Sequence, residues 1–89
     1  MKIVVTIIGQ DRVGIVAKVS TAMADVNVNV LDINQNIMNG FFNMVMIADM
    51  GAAKISLKEL QQKLGEVGKE IGVEIKVQSQ DIFNVMHRI

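Results

Sequence analysis

The residues best suited to chemistry lie in the short segment Gly9–Gly14, which reads Gly-Gln-Asp-Arg-Val-Gly. An apolar run at residues 2–8 predicts a strand before it, and the apolar spacing of residues 15–26 predicts a helix after it. The first amides of a helix lack partners and lie at the positive end of its dipole. A glycine-flanked turn at this point therefore predicts a site for a small anion. The alternative is a plain turn in which Asp11 caps the helix and nothing binds.

Length and composition narrow the class of protein. The chain has 89 residues, and its hydrophobic fraction of 51% is high for this size, so we expect the excess apolar surface to form a subunit interface. Nine basic and nine acidic residues cancel, which argues against a nucleic-acid partner. The absence of cysteine excludes disulfides and thiolate metal sites, and His87 is the only histidine, so we expect no metal and no cofactor.

The N-terminal apolar run predicts a strand and not a signal peptide, because it is short and leads directly into a polar loop. No segment approaches the ~20 apolar residues that a membrane-spanning helix needs. We therefore expect a cytoplasmic protein with no membrane partner.

A hairpin is predicted in the middle of the chain, where Asn39-Gly40 separates two strand-like runs, residues 28–37 and 41–50. A two-residue turn fixes which residues of the two strands face each other. The predicted facing pairs are Met38 with Phe41, Ile37 with Phe42, Ile33 with Met46 and Leu31 with Ala48.

A second helix is predicted from Ser56 onward, because Ser56 and Glu59 form a capping-box pattern. Gly72 is suited to end it. Gly65 and Gly68 lie within the helix, and the sequence leaves open whether they allow close packing or simply weaken it.

Alternating apolar residues at 73, 75 and 77 predict a last strand, and the helical spacing of Ile82, Met86 and Ile89 predicts a short C-terminal helix or an arm toward a partner. Asp81 is a candidate cap for that helix.

The element order β-α-β-β-α-β predicts an α+β fold of the ferredoxin-like type, with a four-stranded antiparallel sheet and two helices on one face. In this arrangement the first and third strands are central and the second and fourth are edges. The face without helices would expose Phe41, Val45 and Ile47, so we predict that the protein self-associates through it.

The segments Gly9–Val16 and Asn27–Ile33, together with the element order, resemble the ACT domain, a family of small regulatory modules that bind amino acids. The ending Asp81–Ile89 resembles that of small stand-alone bacterial ACT-domain proteins. The resemblance implies one domain, residues 1–89, with a core of about residues 1–78 and a tail at 79–89. It also implies a regulatory ligand, commonly an amino acid, bound at a homodimer interface. Because no catalytic domain is attached, we expect no enzyme activity and an effect on a separate protein.

The resemblance implies that two segments supply the ligand-binding residues, the loop from one copy and the start of the second strand from the other. These residues are Asp11, Arg12, Val13, Gly14 and Ile15 in the loop, and Asn27 and Asn29 in the second segment. The ligand carboxylate suits the backbone amides at residues 13–15, which Gly14 leaves approachable. The ammonium suits a side-chain oxygen of Asp11, Asn27 or Asn29, and Arg12 suits an acidic group.

Other functions stay open at this point. Arg12 and Asn36 invite comparison with acylphosphatase-like hydrolases, which share this strand order, although the loop lacks the expected spacing. Single-stranded RNA binding on the open sheet is disfavoured, because the first strand has no aromatic residue. A dimerisation module without ligand is a further alternative. The polar residues Asp32 and Asn34–Asn36 either protect an edge strand or line a ligand cleft.

Overall fold

The computed structural model describes residues 1–10 and 13–82, and within them the elements follow the predicted order. They are β1 (Lys2–Gln10), α1 (Ile15–Asp25), β2 (Asn29–Met38), β3 (Phe41–Asp49), α2 (Leu57–Ile71) and β4 (Val73–Ser79). The strands form one antiparallel sheet in the order β2-β3-β1-β4. The predicted ferredoxin-like fold, with β1 and β3 central and β2 and β4 at the edges, is confirmed.

The core lies between the sheet and the two helices. Alternate residues of the central strands point toward the helices, and residues at three- and four-residue spacing on the helices point back. The fully buried members are Ile3, Val5, Ile7, Met44, Met46 and Ala48 from the sheet and Val19, Met23, Leu60 and Leu64 from the helices. Methionine fills irregular space well, which suits it to the junction between a twisted sheet and two helices.

The hairpin between β2 and β3 turns at Asn39 and Gly40, whose φ angles of 53° and 81° are both positive, as a tight two-residue turn requires. Three predicted facing pairs are confirmed: Met38 with Phe41, Ile37 with Phe42 and Ile33 with Met46. The fourth is wrong, because Val30 and not Leu31 lies opposite Ala48. The register shifts between Val30 and Asp32, so a bulge at Leu31 takes up one residue.

Both ends of helix α2 are capped. The Glu59 amide donates to Ser56 Oγ at 3.2 Å, and the Ser56 amide donates to Glu59 Oε1 at 3.1 Å, which confirms the capping box. The backbone hydrogen bond from Ser56 lowers the pKa of the Glu59 carboxyl. Gly72 ends the helix with a φ of 78°.

The two glycines inside α2 have different surroundings. A Cβ added at Gly68 would lie 2.6 Å from the carbonyl oxygen of Val73, so the glycine allows α2 to approach β4. A Cβ added at Gly65 would meet no atom within 4 Å, so that glycine only lowers helix propensity.

After β4 the backbone becomes helical at residues 80–82. The Ile82 amide donates to Ser79 Oγ at 3.2 Å, so Ser79, and not Asp81 as predicted, caps this turn. The remainder of the predicted C-terminal helix falls in residues 83–89, outside the described residues.

Candidate ligand site

The start of α1 differs from the start of α2 in its capping. Its N-cap residue is Gly14, in a left-handed conformation with φ of 89° and ψ of 2°, and no side chain of the described residues caps it. The Lys18 amide donates to the Gly14 carbonyl at 2.9 Å. This is the first hydrogen bond of the helix. The amides of Ile15, Val16 and Ala17 come before it in the chain and therefore have no acceptor within the helix.

The described part of the chain leaves space beside this helix end. A Cβ added at Gly14 would meet none of its atoms within 4 Å, and Val13 is fully exposed. The Ile15 side chain points into the core, where it is 2% exposed, so this residue presents only its backbone amide. Asp11 and Arg12 lie outside the described residues, so their predicted roles, including a cap from Asp11, stay predictions.

The two helices differ in how their dipoles are compensated. Helix α2 carries Glu59 in its first turn and Lys69 in its last, which is the favourable arrangement at both ends. Helix α1 has no acidic residue in its first turn and no basic residue in its last, which ends at Asp25. The N-terminal end of α1 therefore attracts an anion, and its C-terminal end attracts a cation.

The second predicted group of site residues lies at the C-terminal end of α1. Asn27, with a φ of 64°, follows the end of the helix in a left-handed conformation, which asparagine adopts more readily than most residues. Its Nδ2 donates to the Ala52 carbonyl at 3.1 Å, which leaves Oδ1 as an acceptor. Asn29 is exposed at the start of β2.

A depression of about 380 Å3 adjoins these two asparagines. Its lining residues are Ala24, Asn27, Val28, Asn29 and Ala52, which include no charged side chain. The sequence does not indicate that Ala52 lies beside these asparagines, because its position depends on the path of the chain after β3.

One chain does not bring the two groups together. Strands β1 and β2 both run antiparallel to β3 and are therefore parallel to each other. Asn29 pairs with Asp49, which pairs with Lys2 at the start of β1, whereas the loop follows Gln10 at the other end. Eight residues of strand separate the two ends, roughly 26 Å at ~3.3 Å per residue.

Strand β2 is an edge strand, as predicted, and its apolar side chains are exposed. Ile33 and Ile37 pair with the buried Met46 and Phe42 and so point to the helix side of the sheet, but they are 43% and 50% exposed because the helices do not extend over this edge. Leu31, in the bulge, is 48% exposed. A single chain therefore leaves three large apolar side chains of β2 uncovered.

The polar residues of β2 divide between the two faces. Asp32, Asn34 and Asn36 pair with Ile47, Val45 and Asn43 and lie on the face away from the helices, and Gln35 lies on the other. Asn36, which suggested a comparison with acylphosphatases, thus lies on the face opposite the one that α1 covers.

Among residues 1–10 and 13–82, no group of three His, Asp or Glu side chains is arranged to hold a metal ion. In the same part of the chain, no helix is long and apolar enough to span a membrane.

Residues 1–78 match the ACT domain family. The chain belongs to the ACT domain family. It is 49% identical over 88 residues to a UPF0237 protein of Methanosarcina mazei, covering 99% of this chain and 96% of that protein, so its relatives include archaeal proteins. ACT domains are small regulatory modules that bind ligands.

Two solved structures place this ACT domain among its neighbours. An ACT domain protein from Streptococcus pneumoniae is 32% identical, with a TM-score of 0.82 over 93% of each chain. The regulatory subunit of aspartate kinase from Thermus thermophilus is 28% identical, with a TM-score of 0.67 over 86% of this chain and 50% of that one. The fold of this chain is thus shared by a protein of the same size and by part of a larger regulatory subunit.

Proposed function

We propose that this ACT domain is a regulatory module that binds a small amino acid between two copies of the chain. The observation that carries the proposal is the separation of the two candidate groups. Within one chain, the open start of α1 lies at one end of the sheet and the depression at Asn27 and Asn29 lies at the other. A second copy is therefore needed to complete the site.

The edge strand β2 supplies the contact between the copies. If two β2 strands pair antiparallel about a two-fold axis, the partner's Asn29 comes beside Met38 of the first chain. Met38 belongs to the end of the sheet where β1 ends and α1 begins. The symmetry then produces two identical composite sites, one at each end of the paired strands.

The properties of β2 support this pairing. An exposed edge presents unpaired backbone groups, and proteins usually protect it with lysine, proline, a bulge or a very short strand. Strand β2 has ten residues and carries neither lysine nor proline, and its one bulge, at Leu31, lies near its start. Its pairing with a second copy satisfies the backbone groups and buries Ile33 and Ile37, which one chain leaves half exposed.

The charges at the ends of α1 fit a zwitterion. The ligand carboxylate accepts hydrogen bonds from the first amides of α1 in one chain, where Gly14 leaves room. The ammonium donates to the side-chain oxygens of the partner's Asn27 and the partner's Asn29, near the negative end of the partner's helix. Since the depression there is lined by alanine and valine besides the asparagines, a small uncharged side chain fits it.

A thermal-shift screen of the twenty amino acids tests the proposal, because a ligand that binds only the folded protein raises the melting temperature. We expect the strongest rise from small neutral amino acids. Ile33→Lys, which places a charge on the edge, should separate the copies and abolish the rise. Gln62→Lys, on the exposed side of α2, adds the same charge and should leave binding intact.

Two outcomes would refute the proposal: no amino acid stabilises the protein, or Ile33→Lys yields single chains that bind as well as wild type. If the protein forms a stable dimer and no amino acid binds to it, the alternative of a dimerisation module without ligand is supported.

A further inference from the structure

We infer that the hairpin end of the sheet carries a second small-molecule site, which binds the adenine base of a nucleoside. The site is a depression of about 380 Å3 on the face of the sheet away from α1 and α2. The residues that line it include Ile8, Asn36, Met38, Asn39, Phe41 and Asn43. The inference goes beyond the proposed function, because all of these residues belong to one chain and none of them is part of the proposed amino-acid site.

The strand register places the lining side chains in two neighbouring pairs. Asn36 of β2 pairs with Asn43 of β3, and Met38 pairs with Phe41 two residues nearer the turn. Paired residues of antiparallel strands point to the same face of a sheet, and so do residues two apart along one strand. Two carboxamides therefore lie beside a thioether and a phenyl ring. The tight turn at Asn39-Gly40 fixes this arrangement, because it sets the register of the two strands.

Large apolar side chains are exposed at the hairpin end of this face. Phe41 is 58% exposed, Met38 is 64% exposed, and the adjacent Ile8 is 50% exposed. Val45 and Ile47, which were predicted to be exposed together with Phe41, are half-buried among their neighbours. A flat molecule bound at the hairpin end would therefore cover apolar surface that the chain itself leaves in water.

The polar side chains of the depression are uncharged. Asn36 and Asn43 are both exposed, and each carboxamide offers two N–H donors and one oxygen acceptor to a ligand. None of the described residues that line the depression carries a charge. A phosphate or carboxylate would find no opposite charge there, so the depression favours a neutral ligand.

A base that presents a donor beside an acceptor fits these groups. An asparagine carboxamide pairs with adenine through two hydrogen bonds, accepting from N6 and donating to N7. Guanine presents two acceptors on the same edge, which one carboxamide cannot satisfy in this way. The adenine ring would stack on Phe41, as unpaired bases do on aromatic side chains. The volume of about 380 Å3 lies near the lower end of the ~300–1,000 Å3 of ligand pockets, which suits a single base with its sugar.

The depression would stay open when two copies pair through β2. Paired strands lie side by side, ~4.8 Å apart, so a second copy extends the sheet beyond Met38. It does not cover the face above Asn36 and Asn43. The adenine site is therefore complete in one chain, whereas the proposed amino-acid site needs two.

Calorimetry with adenosine tests the inference. We expect the wild type to bind adenosine, and to bind inosine, which has an oxygen in place of the N6 amine, roughly tenfold more weakly. Phe41→Leu removes the ring and keeps apolar volume, and Asn36→Ala removes one exposed carboxamide. Each should weaken adenosine binding by about fivefold or more. Asn34→Ala is the matched control, because Asn34 lies two residues earlier on the same face of β2 and does not line the depression.

Failure of the wild type to bind adenosine overturns the inference, and so does equal binding of inosine. Folded Phe41→Leu and Asn36→Ala variants that bind as tightly as Asn34→Ala also overturn it. AMP identifies the source of the base: equal binding of AMP and adenosine supports a nucleoside, and tighter binding of AMP supports a nucleotide whose phosphate lies outside the depression.

The proposed function is tested separately by Ile33→Lys, which is designed to divide the two copies. This variant should lose the amino acid and still bind adenosine, because Ile33 points to the helix side of the sheet. Loss of adenosine binding by single, folded chains would contradict a site within one chain.

Discussion

A Cβ atom placed on Gly68 would approach the carbonyl oxygen of Val73 to 2.6 Å. This contact between α2 and the start of β4 allows no side chain, whereas Gly65, one turn earlier on the same helix, has open space around it.

The two glycines predict opposite stability changes. Gly65→Ala should raise the free energy of unfolding by about 1 kcal/mol, because alanine favours the helix. Gly68→Ala should lower the free energy of unfolding, because the overpacking against β4 costs roughly 1 to 3 kcal/mol and outweighs the gain in helix propensity. Urea unfolding of the two variants checks this, and equal changes in both would contradict the close approach.

The proposed carboxylate site predicts an effect of Gly14→Ala on ligand binding. Alanine in this left-handed conformation costs about 1 kcal/mol of stability, and its Cβ would occupy space that the proposed ligand needs. Gly40→Ala is a matched control, because Gly40 also has a positive φ and nothing within 4 Å of an added Cβ. We expect both variants to lose similar stability and only Gly14→Ala to lose the amino acid by calorimetry. Retained binding would place the site elsewhere.

Asn27 and Asn29 predict a separation of structural and ligand-binding roles. Asn27→Ala should lower the free energy of unfolding by roughly 1–2 kcal/mol, because it loses the bond to Ala52 and strains a left-handed residue. Asn29→Ala should leave stability unchanged, because Asn29 is exposed, while it weakens ligand binding. Thermal unfolding with and without ligand measures both, and an Asn29→Ala variant that binds normally would remove this residue from the site.

The capping box predicts a dependence of stability on pH. The folded state lowers the pKa of Glu59, through the backbone bond from Ser56, so the ionised carboxylate stabilises the fold. This contribution is present above the unfolded pKa, near pH 4.3, and is lost as the pH falls through the lower folded pKa. The difference in melting temperature between wild type and Glu59→Gln should therefore shrink between about pH 5 and pH 3. A constant difference would argue against the ionised cap.

The hydrolase alternative predicts a measurable activity. Under our proposal, acetyl phosphate is hydrolysed no faster with the wild type than with Arg12→Ala. Turnover that depends on Arg12 would favour an acylphosphatase-like enzyme.

The sequence predicts those parts of the fold that depend on neighbouring residues. Asn39-Gly40 fixes the hairpin turn and Ser56 with Glu59 fixes a helix start, because each acts within four residues. The bulge at Leu31 was missed, because strand pairing shifts there without any break in the apolar pattern.

The candidate site was predicted less completely than the fold. Spacing located the turn at Gly14, but the 26 Å between the turn and Asn29, roughly estimated from the strand rise, follows only from the parallel course of β1 and β2. The exposure of Ile33 and Ile37 likewise depends on how far the helices extend, which no local pattern encodes.

Because the proposed ligand site is shared by two copies of the chain, ligand binding would depend on the concentration of the protein itself. Each bound amino acid would hold two polypeptides together, so dilution and starvation would act in the same direction and release single chains. The response would then report the level of the nutrient and the level of the protein at once.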